Sequence, residues 1–115
     1  MKRLITKAEQ IQMVKNGLQT KKDHIGNHWP VVKLFTPDAG ATWLLSELDP
    51  EDLDIAFGLC DLGLGFPELG YVRLSEIASV RGRFGLAVER DLHFKAEKSI
   101  LEYSDEAHEA GRIIA

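Results

Sequence analysis

The feature that most constrains this chain is the stretch from Val31 to Leu74, where short runs of alternating hydrophobicity are separated by turns marked with glycine or proline. Alternation with a period of two belongs to strands, whose successive side chains point to opposite faces. Residues 41–48 and 54–62 both carry it, and the connection Asp49-Pro50-Glu51-Asp52-Leu53 between them suits a hairpin loop. With Glu47 set opposite Ile55, antiparallel pairing places Leu45 against Phe57, Trp43 against Leu59 and Ala41 against Asp61. One face then presents a Trp/Leu/Phe/Leu cluster with a carboxylate at each end, Glu47 and Asp61. The other face of the second strand offers Ala56, Gly58 and Cys60, small enough for a covering helix to approach closely.

Flanking segments complete an α+β reading. Val31–Phe35 forms a further strand, and Thr36-Pro37-Asp38-Ala39-Gly40 turns it into the next: Pro37 fixes φ, Asp38 bonds locally and Gly40 supplies a permissive φ. Residues 70–74 make another strand, with Arg73 expected to pair with Asp61 or Glu68. Between them, Leu62 to Gly70 is rich in glycine and proline, and its sharp bends fold Phe66 and Leu69 back toward the core. Ser75 caps a short helix over 76–80, and a last edge strand falls over 92–96. Thr6 with Glu9, and Ser99 with Glu102, have the spacing of capping boxes. They predict covering helices over 7–18, through Ala8, Ile11, Val14 and Leu18, and over 100–111, through Ile100, Tyr103 and Ala107. The whole reads as a single domain, 1–115, built on an antiparallel meander.

Composition narrows the chemistry. A chain of 115 residues with 44% hydrophobic and 28% charged side chains suits a folded domain that needs no staple. Cys60 is the only cysteine, so no internal disulfide forms and a reducing, cytoplasmic setting is expected. No apolar run follows Met1-Lys2-Arg3 to make a signal peptide, and no stretch approaches the roughly 18 apolar residues of a membrane span. The net charge of −4 conceals a gradient: residues 1–23 carry +4, while residues 38–76 carry nine acids against Arg73 alone. A field of that sign repels phosphates and favours a cation or a basic protein surface.

No chemical motif is complete. His24 and His28 are four apart, but Gly26 between them and Pro30 after them argue against the shared helix face that zinc would need. Gly63 and Gly65 lack a third glycine and a following Lys-Ser/Thr pair, so no phosphate loop is formed. Pro37-Asp38 and Glu47-Leu48-Asp49 approach a metal-dependent nuclease pattern, yet Asp49 stands where that pattern needs a lysine. No cofactor is expected and no metal set is recognised.

The segments 31–52, 56–72 and 88–94, read together, resemble a family of small bacterial proteins of unknown function carried on plasmids, integrative conjugative elements and phage-related regions. The resemblance implies a bacterial cytoplasm and an accessory role, and brings no catalytic residues with it.

Two functional classes compete, with a third beside them. The first is a non-enzymatic protein-binding factor whose acidic surface, drawn from Asp38, Asp49, Glu51, Asp52 and Asp54 with Trp43, Tyr71 and Arg73, engages a basic partner. It requires those carboxylates to stand unpaired at the water boundary. The second is an enzyme or metal-binding domain using Glu47, Asp61 and Glu68, with Asp38 or His93 nearby. Its requirement is that Glu47, Asp61 and Glu68 converge within about 5 Å around a cavity. Nucleic-acid binding is not favoured, and would need Arg81, Arg83, Arg90 and the N-terminal lysines to form one stripe. An exposed edge strand leaves pairing with a second copy open.

Overall fold

Both capping boxes form as their spacing predicts, and they set the two long helices. In each, the cap hydroxyl accepts from the backbone of the third helical residue, Glu9 or Glu102, whose side chain reaches back to the cap N–H. The computed structural model describes residues 3–115. Its elements are α1 (Lys7–Asp23), β1 (Val32–Phe35), β2 (Thr42–Asp49), β3 (Asp52–Asp61), β4 (Glu68–Arg73), α2 (Leu74–Ser79), β5 (Glu89–Arg90) and α3 (Ile100–Ala110). The strands form one antiparallel sheet in the order β4-β3-β2-β1-β5.

Alternation along the strands divides the core in two. Val32, Leu34, Trp43, Leu45, Leu48 and Ala56 join Met13 of α1 and Ile77 of α2 on one face. Leu44 and Leu59 join Ile100, Tyr103 and Ala107 of α3 on the other. The small-residue face of β3 is therefore covered by a helix, as its Ala56 and Cys60 suggested, and burial pushes the Cys60 thiol up to about 11, which leaves it unreactive at neutral pH.

Several elements depart from the sequence reading. Helix α1 extends past residue 18 to Asp23 and ends at His24, a non-glycine residue at φ 61°. It packs through Met13 and Gly17, while Ile11 and Leu18 are exposed. Polar ties carry it beyond the apolar period: Gln19 bonds Asp23, and Thr20 bonds strand β2. The hairpin loop shrinks to Pro50-Glu51, so β3 begins at Asp52 rather than residue 54. Strand β4 lies over 68–73 instead of 70–74, and Leu74 opens α2. Arg73, not Ser75, occupies the cap position of α2; Asp54 from β3 takes over the work, accepting from Ser75 N at 2.9 Å and Ser75 Oγ at 2.6 Å. No strand forms over 92–96. The pairing with β1 falls at Glu89–Arg90, after which Asp91 accepts from His93 N and turns the chain away. Gly40 does not use a positive φ, and Asp38 bonds a distant loop rather than its own turn. Phe66, expected against the core, is 80% exposed.

Candidate functional site

The register of the central hairpin decides which side chains share a face. Pairs from Thr42↔Asp61 to Leu45↔Gly58 keep one register, which then shifts so that Glu47 faces Phe57 and Leu48 faces Ala56. The anticipated register is thus off by one from Thr42 to Leu45, where Trp43 pairs with Cys60 rather than Leu59, and off by two at Glu47, which meets Phe57 rather than Ile55. Trp43 therefore faces away from Leu59 and is buried in the α1-side core. The extra residue is Ser46, a β-bulge held from both sides: its carbonyl accepts from Asn16 Nδ2 at 2.8 Å and its Oγ donates to Phe57 O at 3.3 Å.

The bulge brings Glu47 into a row with aromatic residues. Glu47 pairs with Phe57 and Phe57 with Tyr71, so the three stand side by side on β2, β3 and β4. The neighbouring row, Leu44–Leu59–Leu69, is covered by α3; the Glu47 row is left open as a cleft of about 370 Å³, bordered by Gly17, Thr20, Lys21 and His24 of the α1 end. Phe57 and Tyr71 meet edge to face with ring centres 5.1 Å apart, and Tyr71 is 75% exposed.

At the closed end, Glu47 is only 9% exposed. Its Oε1 accepts from Thr20 Oγ1 at 3.0 Å, and the same hydroxyl lies 2.9 Å from His28 Nε2. A hydroxyl has one proton, and the Asn16 carbonyl at 3.1 Å competes with Glu47 for it; when the proton is directed to Glu47, His28 is the donor to Thr20. Oε2 of Glu47 has no hydrogen-bond partner among the described residues. Burial holds this carboxyl above the 4.5 usual for glutamate, opposed by the Thr20 hydroxyl and by His28. The sign follows: the folded state binds the proton more tightly than the unfolded chain, so ionisation costs stability as pH rises from about 4.5 through the raised value. Relative to Glu47→Gln, the natural protein is therefore expected to be less stable at pH 7 and to draw level below pH ~4, with Glu47 protonated in both states. Urea unfolding of both proteins across that range checks this, and a difference independent of pH would refute it.

The other predicted carboxylates do not join Glu47. Asp61 pairs with Thr42, four residues along the strand from the Glu47 row, or about 13 Å away. It is a structural anchor: Oδ1 accepts from Gly63 N at 2.8 Å and Oδ2 from Ile113 N at 2.9 Å. Glu68 is exposed at the start of β4. Asp38 Oδ2 accepts from Phe84 N and Leu86 N, and its Oδ1 is buried without a partner among the described residues. The convergence that a carboxylate-based metal or catalytic centre requires is absent, and no group of three or more His, Cys, Asp or Glu among the described residues could hold a metal ion.

The hairpin acids are not unpaired either. Lys21 Nζ lies 3.3 Å from Glu51 and 3.9 Å from Asp49, while Arg73 Nη1 lies 3.2 Å from Asp52 and 3.5 Å from Asp54. Arg73 thus pairs with Asp52 and Asp54 rather than with Asp61 or Glu68, because β4 runs beside the start of β3. The Ser75 hydroxyl, with Arg73 contributing less, holds Asp54 below the usual carboxylate range. The basic residues form no single stripe: Arg81 bonds the carbonyls of Ala78 and Val80, Arg90 pairs with Glu9, and Arg83 lies over Phe84.

One surface went unforeseen. Leu62, Leu64 and Phe66 are 61%, 73% and 80% exposed on the β3–β4 loop. Gly63 and Gly65 adopt φ of 79° and 90°, and Asp61 fixes the base of the loop. Its sequence signal was the alternation of large apolar residues with glycines. Nor was the Thr20–His28 link foreseen, since eight residues of helix end and loop separate the pair.

The chain belongs to the family described as protein of unknown function (DUF2958), which it matches over residues 4–114. Neither a curated protein nor a solved structure matches it. No helix among the described residues is long and apolar enough to cross a membrane.

Proposed function

We propose that this member of the family is a non-enzymatic binding factor whose partner is another protein, met by the loop Leu62–Phe66 and the open edge of β4. The observation that carries the reading is the exposure of three large apolar side chains within five residues. Single exposed apolar residues are ordinary, but a cluster on a built loop is the usual mark of an interaction surface. Strand β4 adds to it, because among the described residues β3 is its only neighbouring strand and its outer edge is open to pair with an extended segment. The acidic hairpin supplies a polar rim. Its pairs with Lys21 and Arg73 are exposed and weak, and can be exchanged for a partner's basic groups. The setting we propose is the one the resemblance implies, an accessory protein of bacterial mobile elements acting in the cytoplasm.

Capture from host extract tests the reading. The variant Leu62→Ser/Leu64→Ser/Phe66→Ser is expected to keep its stability within about 1 kcal/mol, since these side chains bury little, and to lose the partners that the natural protein retains. Neutralising Asp49, Glu51, Asp52 and Asp54 together is expected to weaken capture and lower its salt sensitivity without abolishing it. Identical recoveries with the triple variant would sink the proposal.

A further inference from the structure

We infer that the open row Glu47–Phe57–Tyr71 is a receptor for an arginine side chain of the partner protein, the side chain running over the two aromatic residues and its guanidinium donating to Glu47. This rests on the protein-binding reading above and specifies a second contact, on a different part of the surface from the apolar loop.

Three observations carry it. First, Glu47 is a nine-tenths buried carboxylate that lines the cleft with one oxygen unpartnered among the described residues. A buried charge held by a single hydroxyl is poorly compensated and favours a cation that completes it. Second, no cation among the described residues takes that place: Lys21, the basic residue at the rim, is drawn to Asp49 and Glu51. Third, the approach to Glu47 is aromatic. Adjacent strands lie about 4.8 Å apart, so Tyr71, Phe57 and Glu47 form a straight path of about 10 Å from open solvent to the carboxylate. A planar cation packs against one such ring and donates two hydrogen bonds at the end of the path. Arginine fits better than lysine, because its delocalised charge is more weakly hydrated and its donors form a fork. The Ser46 bulge is what makes the receptor. Without the extra residue Ser46 would stand opposite Phe57, and Glu47 would turn to the other face.

The test is a titration of the intact, isotope-labelled protein with an end-blocked Gly-Arg-Gly peptide, followed in amide NMR spectra. Saturable shifts are expected at Thr20, Glu47, Phe57 and Tyr71. The same peptide with citrulline, which keeps the shape and loses the charge, is expected to give none, and the lysine peptide a weaker response. Glu47→Gln is expected to weaken binding about tenfold or more, as a charge-assisted bond is lost. Tyr71→Ala is expected to weaken it about two- to fivefold, and removes an exposed side chain that the fold does not need. No saturable shift, an equal response to citrulline or lysine, or unchanged binding by Glu47→Gln would overturn the inference. Because the peptide assay needs no partner, its failure leaves partner capture by the apolar loop intact, and loss of the loop reading leaves the peptide result standing.

Discussion

Replacing Asp61 by alanine is expected to destabilise the protein by about 3–5 kcal/mol, more than any other single carboxylate in the chain. Asp61 is buried and spends both oxygens on backbone donors, Gly63 N at 2.8 Å and Ile113 N at 2.9 Å. Bonds to an ionised acceptor contribute about 1.5–3 kcal/mol each, and their loss leaves the Ile113 N–H where water enters poorly. The damage is not confined to the loop, since Ile113 belongs to the α3-side core and is held there by this carboxylate. Asp61→Asn keeps one acceptor and turns an amide N–H toward the other donor, so about half the loss is expected. Urea unfolding checks both variants. A loss below about 1 kcal/mol for alanine would show that the carboxylate is not the anchor described.

The second large effect has a sign opposite to what helix propensity alone implies. Alanine in place of glycine within a helix ordinarily stabilises by about 1 kcal/mol. At Gly17 a Cβ would collide with the carbonyl oxygen of Leu48 and sit 3.2 Å from Pro50 Cδ. The obstacle is strand backbone, which cannot rotate aside, so α1 must lift from β2 and loosen the contact of Met13 with the core. We expect Gly17→Ala to destabilise by about 3 kcal/mol net, the upper part of the range for overpacked sites. Lifting the helix also draws Thr20 from Glu47 and Asn16 from the Ser46 bulge, so amide shifts should spread along β2 as far as Glu47. A stabilised Gly17→Ala protein would mean that α1 is not seated on β2 in this way.

These two residues show where reading the sequence stops. Asp61 was legible as a carboxylate at the end of an alternating strand, but whether it meets metal, substrate or backbone depends on Ile113, which is 52 residues away. Gly17 did not stand out in the sequence, because its purpose lies in the strand it touches. The hairpin acids make the same point. Their charge could be counted, whereas their pairing with Lys21 and Arg73 needs the end of α1 and the end of β4 to arrive beside the turn.

The sequence by itself determined what local physics controls: both capping boxes, the C-terminal helix, the hairpin about Pro50, the α+β alternation and the acidic bias of the middle. Each depends on residues within a few positions of one another, where spacing and hydrogen-bond chemistry suffice. Only the tertiary structure decided the register of β2 on β3, because the bulge at Ser46 is held by an asparagine of α1 that no local pattern connects to it. That one extra residue set Glu47 at the end of an open aromatic row, since in a sheet a shift by one position exchanges the two faces.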